Sequence, residues 1–267
     1  MKIYQLQSWW RLNPEFDFYD FNPSVLNEPI IIDEDIDIPY KNEVEMSLEY
    51  SNNCLEYIEY MSKEDQLLLL GYTYLGDRLV NNYLRYPEEV EDQYQMYLEL
   101  RYGEFNPLFV SIAKLQYPNK EISSKLYKKI KKLSLPDYIQ CIEWTINRLN
   151  QLIDESPSLF QGCILYRGEK SMWTTKKSVL SHLFSFKSNT VTNISFLSTS
   201  LDIDTAKSYA SKDCCLKRIE LIKERKGILL GPLSYQPGEV EVLLAPGDFK
   251  KEKEDKQFNI NTIYLER

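Results

Sequence analysis

Histidine is almost missing, with His182 the single one in 267 residues. That scarcity argues against Ser/His or Cys/His nucleophilic catalysis and against histidine-rich metal sites, so no metal is expected. Basic residues are outnumbered, 32 Lys and Arg against 40 Asp and Glu, for a net charge of −8. A nucleic acid or an anionic membrane would need a basic face, so neither is an expected partner. No stretch is long and apolar enough to span a bilayer. Residues 1–10 lack the apolar run of a signal peptide. The five cysteines (Cys54, Cys141, Cys163, Cys214, Cys215) are odd in number and lack metal or disulfide-framework spacing, which fits a reducing compartment. A cytoplasmic location is the expectation. Carboxylates, arginines and hydroxyls are left to carry any chemistry.

A hydrophobic content of 43% is ample for a core. No internal repeat or low-complexity tract interrupts the chain. Residues 1–61 read as an acidic N-terminal extension, with partial alternation over 30–38 ended by Pro39. The pattern changes at Ser62, where Ser62-Lys-Glu-Asp65 has capping-box spacing ahead of the apolar run 67–70. Residues 71–85 predict a helix, a break and a second helix. Residues 87–133, charged and rich in tyrosine, predict two or three short helices. Ser134-Leu-Pro-Asp137 starts a clearer helix, whose Ile139, Ile142, Ile146, Leu149 and Ile153 recur at three- and four-residue spacing.

After Pro157 the pattern turns to strands. They are expected at 162–167, 193–200, 216–222, 227–230, 239–244 and 259–265, with a short helix over 204–211 capped by Asp202. Helices first and strands afterwards predict an α+β fold with mostly antiparallel sheets. The expected division is a domain over 62–267, helical over 62–157 and β-rich over 158–267.

Side chains two apart leave a strand on one face, so Glu239 and Glu241 are expected side by side, with Val240, Val242 and Leu244 turned into a core. Arg167, Ser198 and Glu241 then fall on or beside strand ends. Taken singly, each suits a surface ion pair, a strand-to-helix junction or a solvated strand face. Their contexts are more informative: Tyr-Arg-Gly at 166–168, Phe-Leu-Ser-Thr-Ser at 196–200 and Glu-Val-Glu at 239–241.

In these motifs and their order the chain resembles the arginine–serine–glutamate class of mono-ADP-ribosyltransferases, which includes binary clostridial toxins and vertebrate ecto-enzymes. Tyr72-Thr73 followed by Val80-Asn-Asn-Tyr-Leu-Arg85 looks like that family's Tyr-Thr and Ile-Asn-x-x-Leu-Arg helix pair. Asp77 stands where toxin relatives often carry a second tyrosine. Ser198-Thr199-Ser200 followed by Ala206 and Tyr209 fits the loop after the second motif. The resemblance covers roughly 62–267. It implies N-terminal helices packed on two mostly antiparallel sheets around a cleft for NAD, the co-substrate.

The roles that follow are those the resemblance implies. Glu241 stabilises the oxocarbenium-like ribose formed as nicotinamide leaves. Arg167 clamps the pyrophosphate, Ser198 holds Glu241 and the nicotinamide ribose, and Gly168 lets the backbone approach the ligand. Tyr72, Asn81 and Arg85 belong to the element over the adenosine half. Thr199, Ser200, Tyr209 (stacked on nicotinamide) and Lys212 (reaching a phosphate) complete the NAD contacts. Glu239 accompanies arginine modification in the family, and Tyr235 lies where an aromatic touches the target, so an arginine-bearing protein is the expected partner. A toxin or effector acting in its own or a host cytosol fits this reading. Two alternatives stand beside it: an NAD glycohydrolase that keeps the same pocket, and an inactive ADP-ribosyltransferase-like interaction module in which residues 1–61 bind a partner. Nothing in the sequence speaks to oligomeric state.

Overall fold

The computed structural model describes residues 41–99, 106–168, 190–210, 215–234, 240–257 and 260–266. Among them the first half is helical: α1 (Lys41–Tyr60), α2 (Lys63–Gly71), a π-helical turn (Tyr72–Gly76), α3 (Asp77–Arg85), α4 (Val90–Glu99), α5 (Phe109–Gln116), α6 (Ser124–Tyr127) and α7 (Leu135–Glu155). The second half holds β1 (Ser158–Leu159), β2 (Ile164–Gly168), β3 (Thr190–Asn193), β4 (Leu197–Ser200), α8 (Ile203–Tyr209), β5 (Cys215–Glu220), β6 (Arg225–Lys226), β7 (Ile228–Leu229), β8 (Glu241–Leu244), β9 (Gly247–Gln257) and β10 (Ile260–Glu266). The α+β class read from the sequence is the one observed.

Local chemistry sets the helix starts. Ser62 caps α2 by accepting from the Asp65 amide at 3.1 Å, and its hydroxyl donates to the Asp65 carboxylate at 2.7 Å. Asp65 in turn receives a fork from Arg148 of α7, with Nε at 2.7 Å and Nη2 at 2.8 Å. Asp therefore stands in place of the usual Glu because it also ties α2 to α7. Ser134 and Asp137 form a reciprocal capping box at the start of α7.

The buried stripe of α7 runs through Tyr138, Cys141, Ile142, Thr145, Leu149, Leu152 and Ile153. It is rotated from the expected one, leaving Ile139 and Ile146 half-buried. Thr145 can sit inside because its hydroxyl donates to the Cys141 carbonyl at 2.8 Å.

No break separates α2 from α3. The π turn carries the helix through, and Gly76 makes this possible, since a Cβ there would lie 2.7 Å from the Gly71 carbonyl oxygen.

Among the described residues, eight strands hydrogen-bond into one sheet in the order β3-β9-β10-β5-β2-β4-β8-β7, and β1 pairs with β6 in a separate ribbon. Neighbouring strands run antiparallel except β5 with β10. The expected strand at 193–200 is two strands, β3 and β4, interrupted by 194–196. The charged β9, Gly-Asp-Phe-Lys-Lys-Glu-Lys-Glu-Asp-Lys-Gln, has no apolar alternation to announce it, and it forms by pairing with β10 on one side and β3 on the other.

Two cores flank the sheet. One joins the helices to Phe196, Ile228, Leu230, Leu233 and Leu243. The other gathers Leu159, Cys163, Leu165, Leu197, Ile219, Leu229, Val242, Leu244 and Phe249. Residues from α1 enter both: Ile58 the first, Tyr50 and Cys54 the second. A boundary drawn between 61 and 62 thus cuts through packed residues.

Candidate active site

Strands β4 and β8 form the floor of the site. Their register pairs Leu197 with Leu244, Ser198 with Leu243, Thr199 with Val242 and Ser200 with Glu241. Residues directly opposite one another share a face. Ser198, Ser200, Glu241 and Leu243 therefore face the helical layer, while Leu197, Thr199, Val242 and Leu244 face the second core. Glu241 lies diagonally across from Ser198 and directly across from Ser200.

The backbone just before β8 is not a continuation of the strand. Val240 has φ of +44°, a conformation that β-branched side chains avoid. Such strain costs on the order of 1–3 kcal/mol and persists where neighbours over-determine it. Here they do: the Leu201 amide donates to the Val240 carbonyl at 3.3 Å, and the Leu230 amide to the Glu241 carbonyl at 2.8 Å. The expected strand starting at 239 thus begins at 241, and the side-by-side argument for Glu239 and Glu241 does not run through Val240. Glu239 itself, with Tyr235 and Lys212, lies outside the described residues.

Arg167 ends β2 beside β4, and its Nη1 donates to the Ser198 carbonyl at 2.6 Å. Gly168 follows. A Cβ at this glycine would sit 1.9 Å from the Ala206 carbonyl oxygen and 2.6 Å from the Ala210 nitrogen. The space it leaves is filled by α8, so helix packing requires this glycine independently of any ligand. Asp202 caps α8 by accepting from the amides of Asp204 at 3.1 Å and Thr205 at 2.8 Å. That cap sets the half-buried Tyr209 at the far end of α8, beside Gly168. The Ser200 hydroxyl accepts from the Asp202 amide at 2.9 Å, and Thr199 donates to the Val242 carbonyl at 2.8 Å. Ser200 and Thr199 are both buried.

The helical wall is set by the π turn. In an α-helix, position i+5 lies about 140° around from i. An i→i+5 turn instead brings it back nearly overhead, and the Asp77 amide does donate to the Tyr72 carbonyl. Asn81 and Arg85 then follow at α-helical spacing of four, so Tyr72, Asp77, Asn81 and Arg85 share one face. Tyr72 is buried, its ring edge-on to Phe196 with centroids 6.0 Å apart. Burial pushes its hydroxyl pKa up, aided by the negative charges of Asp77 and Glu241, while hydrogen bonds with Asn81 and Ser198 oppose the rise.

Arg85 donates from Nε at 3.1 Å and Nη2 at 2.9 Å to the Ser195 hydroxyl, tying α3 to the loop before β4. Asp77 is half-buried. Burial raises its carboxyl pKa, against the pull of Arg78, Arg167 and Arg85. The structure thus brings Arg167, Ser198, Glu241, Tyr72, Asn81 and Asp77 to one place.

Phe196, Ser195 and Asn193, to which the sequence assigned no role, support this site through Tyr72, Asn81 and Arg85. Asn193 Nδ2 donates to the Ser195 carbonyl, holding the loop that Arg85 grips. A buried aromatic directly before Leu-Ser-Thr-Ser was the one available signal. Among the described residues, no group of three or more His, Cys, Asp or Glu side chains is arranged to hold a metal. None of their helices is long and apolar enough to cross a membrane.

This fold is similar to that of Plx2a, an ADP-ribosyltransferase toxin from Paenibacillus larvae, with TM-score 0.50, 15% identity and coverage of 84% of this chain and 94% of that one. An ADP-ribosyltransferase from Clostridium botulinum gives TM-score 0.50, 16% identity and coverage of 86% of this chain and 97% of that one. BECa, the ADP-ribosylating toxin of a Clostridium perfringens binary enterotoxin, gives TM-score 0.50 and 12% identity over 84% of this chain and 48% of that one. At such identities the likeness speaks for the fold. Comparison with curated proteins gave no significant match. Residues 48–249 match the ADP-ribosyltransferase exoenzyme family, and the chain belongs to it. NAD is therefore its substrate.

Proposed function

We propose that the protein transfers ADP-ribose from NAD to an arginine side chain of a target protein, releasing nicotinamide. The observation that carries this reading is the convergence of three side chains. Arg167 is fastened to the Ser198 carbonyl, and Glu241 lies one diagonal from Ser198 on the same face.

The chemistry asks little of a general acid, because nicotinamide is a good leaving group already. The barrier lies in the positive charge that builds on the ribose as its C1′–N bond loosens. Glu241 stabilises that charge and accepts a hydrogen bond from the ribose 2′-hydroxyl. Arg167 supplies a planar fork of donors for the pyrophosphate, and Arg85 stands on the same wall. Ser198 fixes Glu241 and the nicotinamide ribose. Tyr209 stacks on nicotinamide, while Asn81, Gly168, Thr199, Ser200 and Lys212 shape the rest of the pocket. Donors for two phosphates and a carboxylate for the ribose suit a dinucleotide.

Arginine as the acceptor rests on the Glu-Val-Glu sequence. A carboxylate at Glu239 orients an incoming guanidinium through paired hydrogen bonds and takes its proton as nitrogen bonds to C1′. Tyr235 contacts the target. We place the start of the catalytic domain near residue 48, where the family match begins and where Tyr50, Cys54 and Ile58 enter the cores. A cytosolic target is consistent with the buried, unbridged Cys54, Cys141 and Cys163.

The test is incubation of the protein with labelled NAD and a cell lysate, beside Glu241→Gln, with and without an arginine analogue as acceptor. A labelled band from the parent alone supports transfer. Nicotinamide released equally with and without the analogue, and no band, turns the reading to an NAD glycohydrolase. Hydroxylamine cleaves arginine adducts, so a labelled band that survives it refutes the choice of acceptor.

A further inference from the structure

Positive charge is unevenly spread along this acidic chain. Residues 114–132 hold seven lysines against one acid, Glu121, and no arginine, while the chain as a whole carries −8. The fold turns six of the seven outward. Ile122, Leu126 and Leu133 are buried in the first core and Ile130 packs against it. Beside and between these anchors, Lys120, Lys125, Lys128, Lys129, Lys131 and Lys132 stand exposed. Side chains from the end of α5 then hold the segment after α6. Gln116 Nε2 donates to the Lys131 carbonyl at 3.0 Å, and the Lys131 amide donates to Gln116 Oε1 at 2.8 Å. Tyr117 Oη donates to the Lys129 carbonyl at 2.9 Å, and the Lys120 amide donates to the Tyr117 carbonyl at 2.9 Å. The six lysines are thus gathered on one tied-down surface. Lys114 is paired with Glu64, and among the described residues no ion pair holds the other six.

We propose that this lysine face docks the protein on an anionic lipid surface. Net charge conceals it, but charges farther off than a Debye length, about 8 Å at physiological ionic strength, are largely screened. The local surplus of lysine therefore decides what the face attracts. Its composition selects among anionic partners. A protein interface is built around aromatic, apolar or arginine anchors and is poor in lysine. Among the described residues the exposed large apolar side chains are Tyr60, Ile194 and Ile222, none of them here. A nucleic acid calls for arginine forks or aromatic rings on which bases stack. The segment has no arginine, and its two tyrosines are half-buried with their hydroxyls engaged, Tyr117 on Lys129 and Tyr127 on the Asn106 amide. Lysine is a point charge on a flexible stem, and a charged leaflet asks for no fixed geometry. The exposed lysines belong to the helical layer, apart from the strands that carry Arg167, Ser198 and Glu241. Docking therefore leaves NAD turnover untouched, and it is independent of which residue accepts ADP-ribose.

The experiment is sedimentation of the full chain with phosphatidylcholine vesicles, with and without phosphatidylserine, at about 0.1 M salt. The parent should sediment with the phosphatidylserine vesicles alone, and should be released as salt is raised. A variant combining Lys128→Gln, Lys129→Gln and Lys132→Gln should partition about tenfold more weakly or worse. Lys223→Gln, Lys250→Gln and Lys253→Gln together remove the same charge from other faces and should leave sedimentation within about twofold of the parent's. Nicotinamide release in solution should be the same in all three proteins, which shows that each is folded. No sedimentation with phosphatidylserine vesicles overturns the proposal. So does equal sedimentation of the parent and the Lys128, Lys129 and Lys132 variant, or equal weakening in the two triple variants, which would reduce the effect to net charge. Retardation of RNA or DNA by the parent, lost in the same lysine variant, with no vesicle binding, would assign the face to nucleic acid instead.

Discussion

The paired strands β4 and β8 present two faces built from alternate residues of the same eight. One face carries Ser198, Ser200, Glu241 and Leu243 toward the helices. The other carries Leu197, Val242 and Leu244 into the second core, with Thr199 among them. Substitutions on the two faces should fail in different ways: the first should lose turnover with the fold kept, the second should lose the fold. The one polar side chain on the apolar face, Thr199, is there because the Val242 carbonyl takes its proton.

The sharpest break of this comparison sets Glu241→Gln against Leu244→Ala. Glu241→Gln keeps shape and removes charge where positive charge develops. Nicotinamide release should fall by about 10²–10³-fold while the melting temperature stays near the parent's. Leu244, 1% exposed, should on truncation cost about 2–5 kcal/mol in chemical denaturation, with kcat of the folded fraction retained. Equal losses of stability in both variants would erase the distinction between the faces.

A second break lies at the strand's edge, where β2 meets α8. Gly168→Ala forces a Cβ to within 1.9 Å of the Ala206 carbonyl oxygen, with backbone rather than a flexible side chain in the way. Helix α8 must move, at a cost of about 1–3 kcal/mol. Tyr209 moves with it. Reduced stability together with weaker NAD binding is the expected pair of outcomes in denaturation and calorimetry, whereas a purely ligand-facing glycine would lose affinity alone.

Much of this was legible in advance, and the reasons are particular. Ser134 and Asp137 announced α7 because a cap is written in residues three apart. Asp202 announced α8 for the same reason. The site strands could be read because Tyr-Arg-Gly and Leu-Ser-Thr-Ser sit at their ends. The π turn could not: Gly76 looks like a helix break in sequence, and only the crowding against the Gly71 carbonyl explains it as a helix kept in register. Nor could Val240, since a β-branched residue is the natural choice for a strand and its positive φ is imposed by Leu201 and Leu230 from either side. Strand β9 was illegible for a third reason, because tertiary pairing with β3 and β10 overrides a charged, unalternating sequence.

A smaller effect is expected from Thr199→Val, which keeps volume but leaves the buried Val242 carbonyl without its side-chain donor. The loss should be about 1–2 kcal/mol in denaturation with turnover little changed. A large loss of activity instead would mean that Thr199 reaches the ligand after all, and that the two faces are less separate than their register indicates.

The subtlest test moves from the sheet to the wall above it, where Asp77 lies near Arg78, Arg85 and Arg167. Burial raises its carboxyl pKa in the folded protein despite those three cations. A raised folded pKa means that protonation is tighter in the folded than in the unfolded chain. This contribution to stability is complete below the unfolded carboxyl pKa, about 3.9, and is lost as pH rises through the folded value. Asp77→Asn cannot ionise and is spared that loss. The variant's advantage in melting temperature should thus grow from acid toward neutral pH and then level off. If Arg167 and Arg85 hold the pyrophosphate of NAD, an ionised Asp77 repels the same charges. NAD should then bind Asp77→Asn more tightly at neutral pH, with a flatter pH dependence than the parent. Tighter binding at neutral pH that vanishes in acid would make Asp77 a brake on substrate affinity built into the helical wall, whereas weaker binding to Asp77→Asn would make it a direct partner of the ribose hydroxyls.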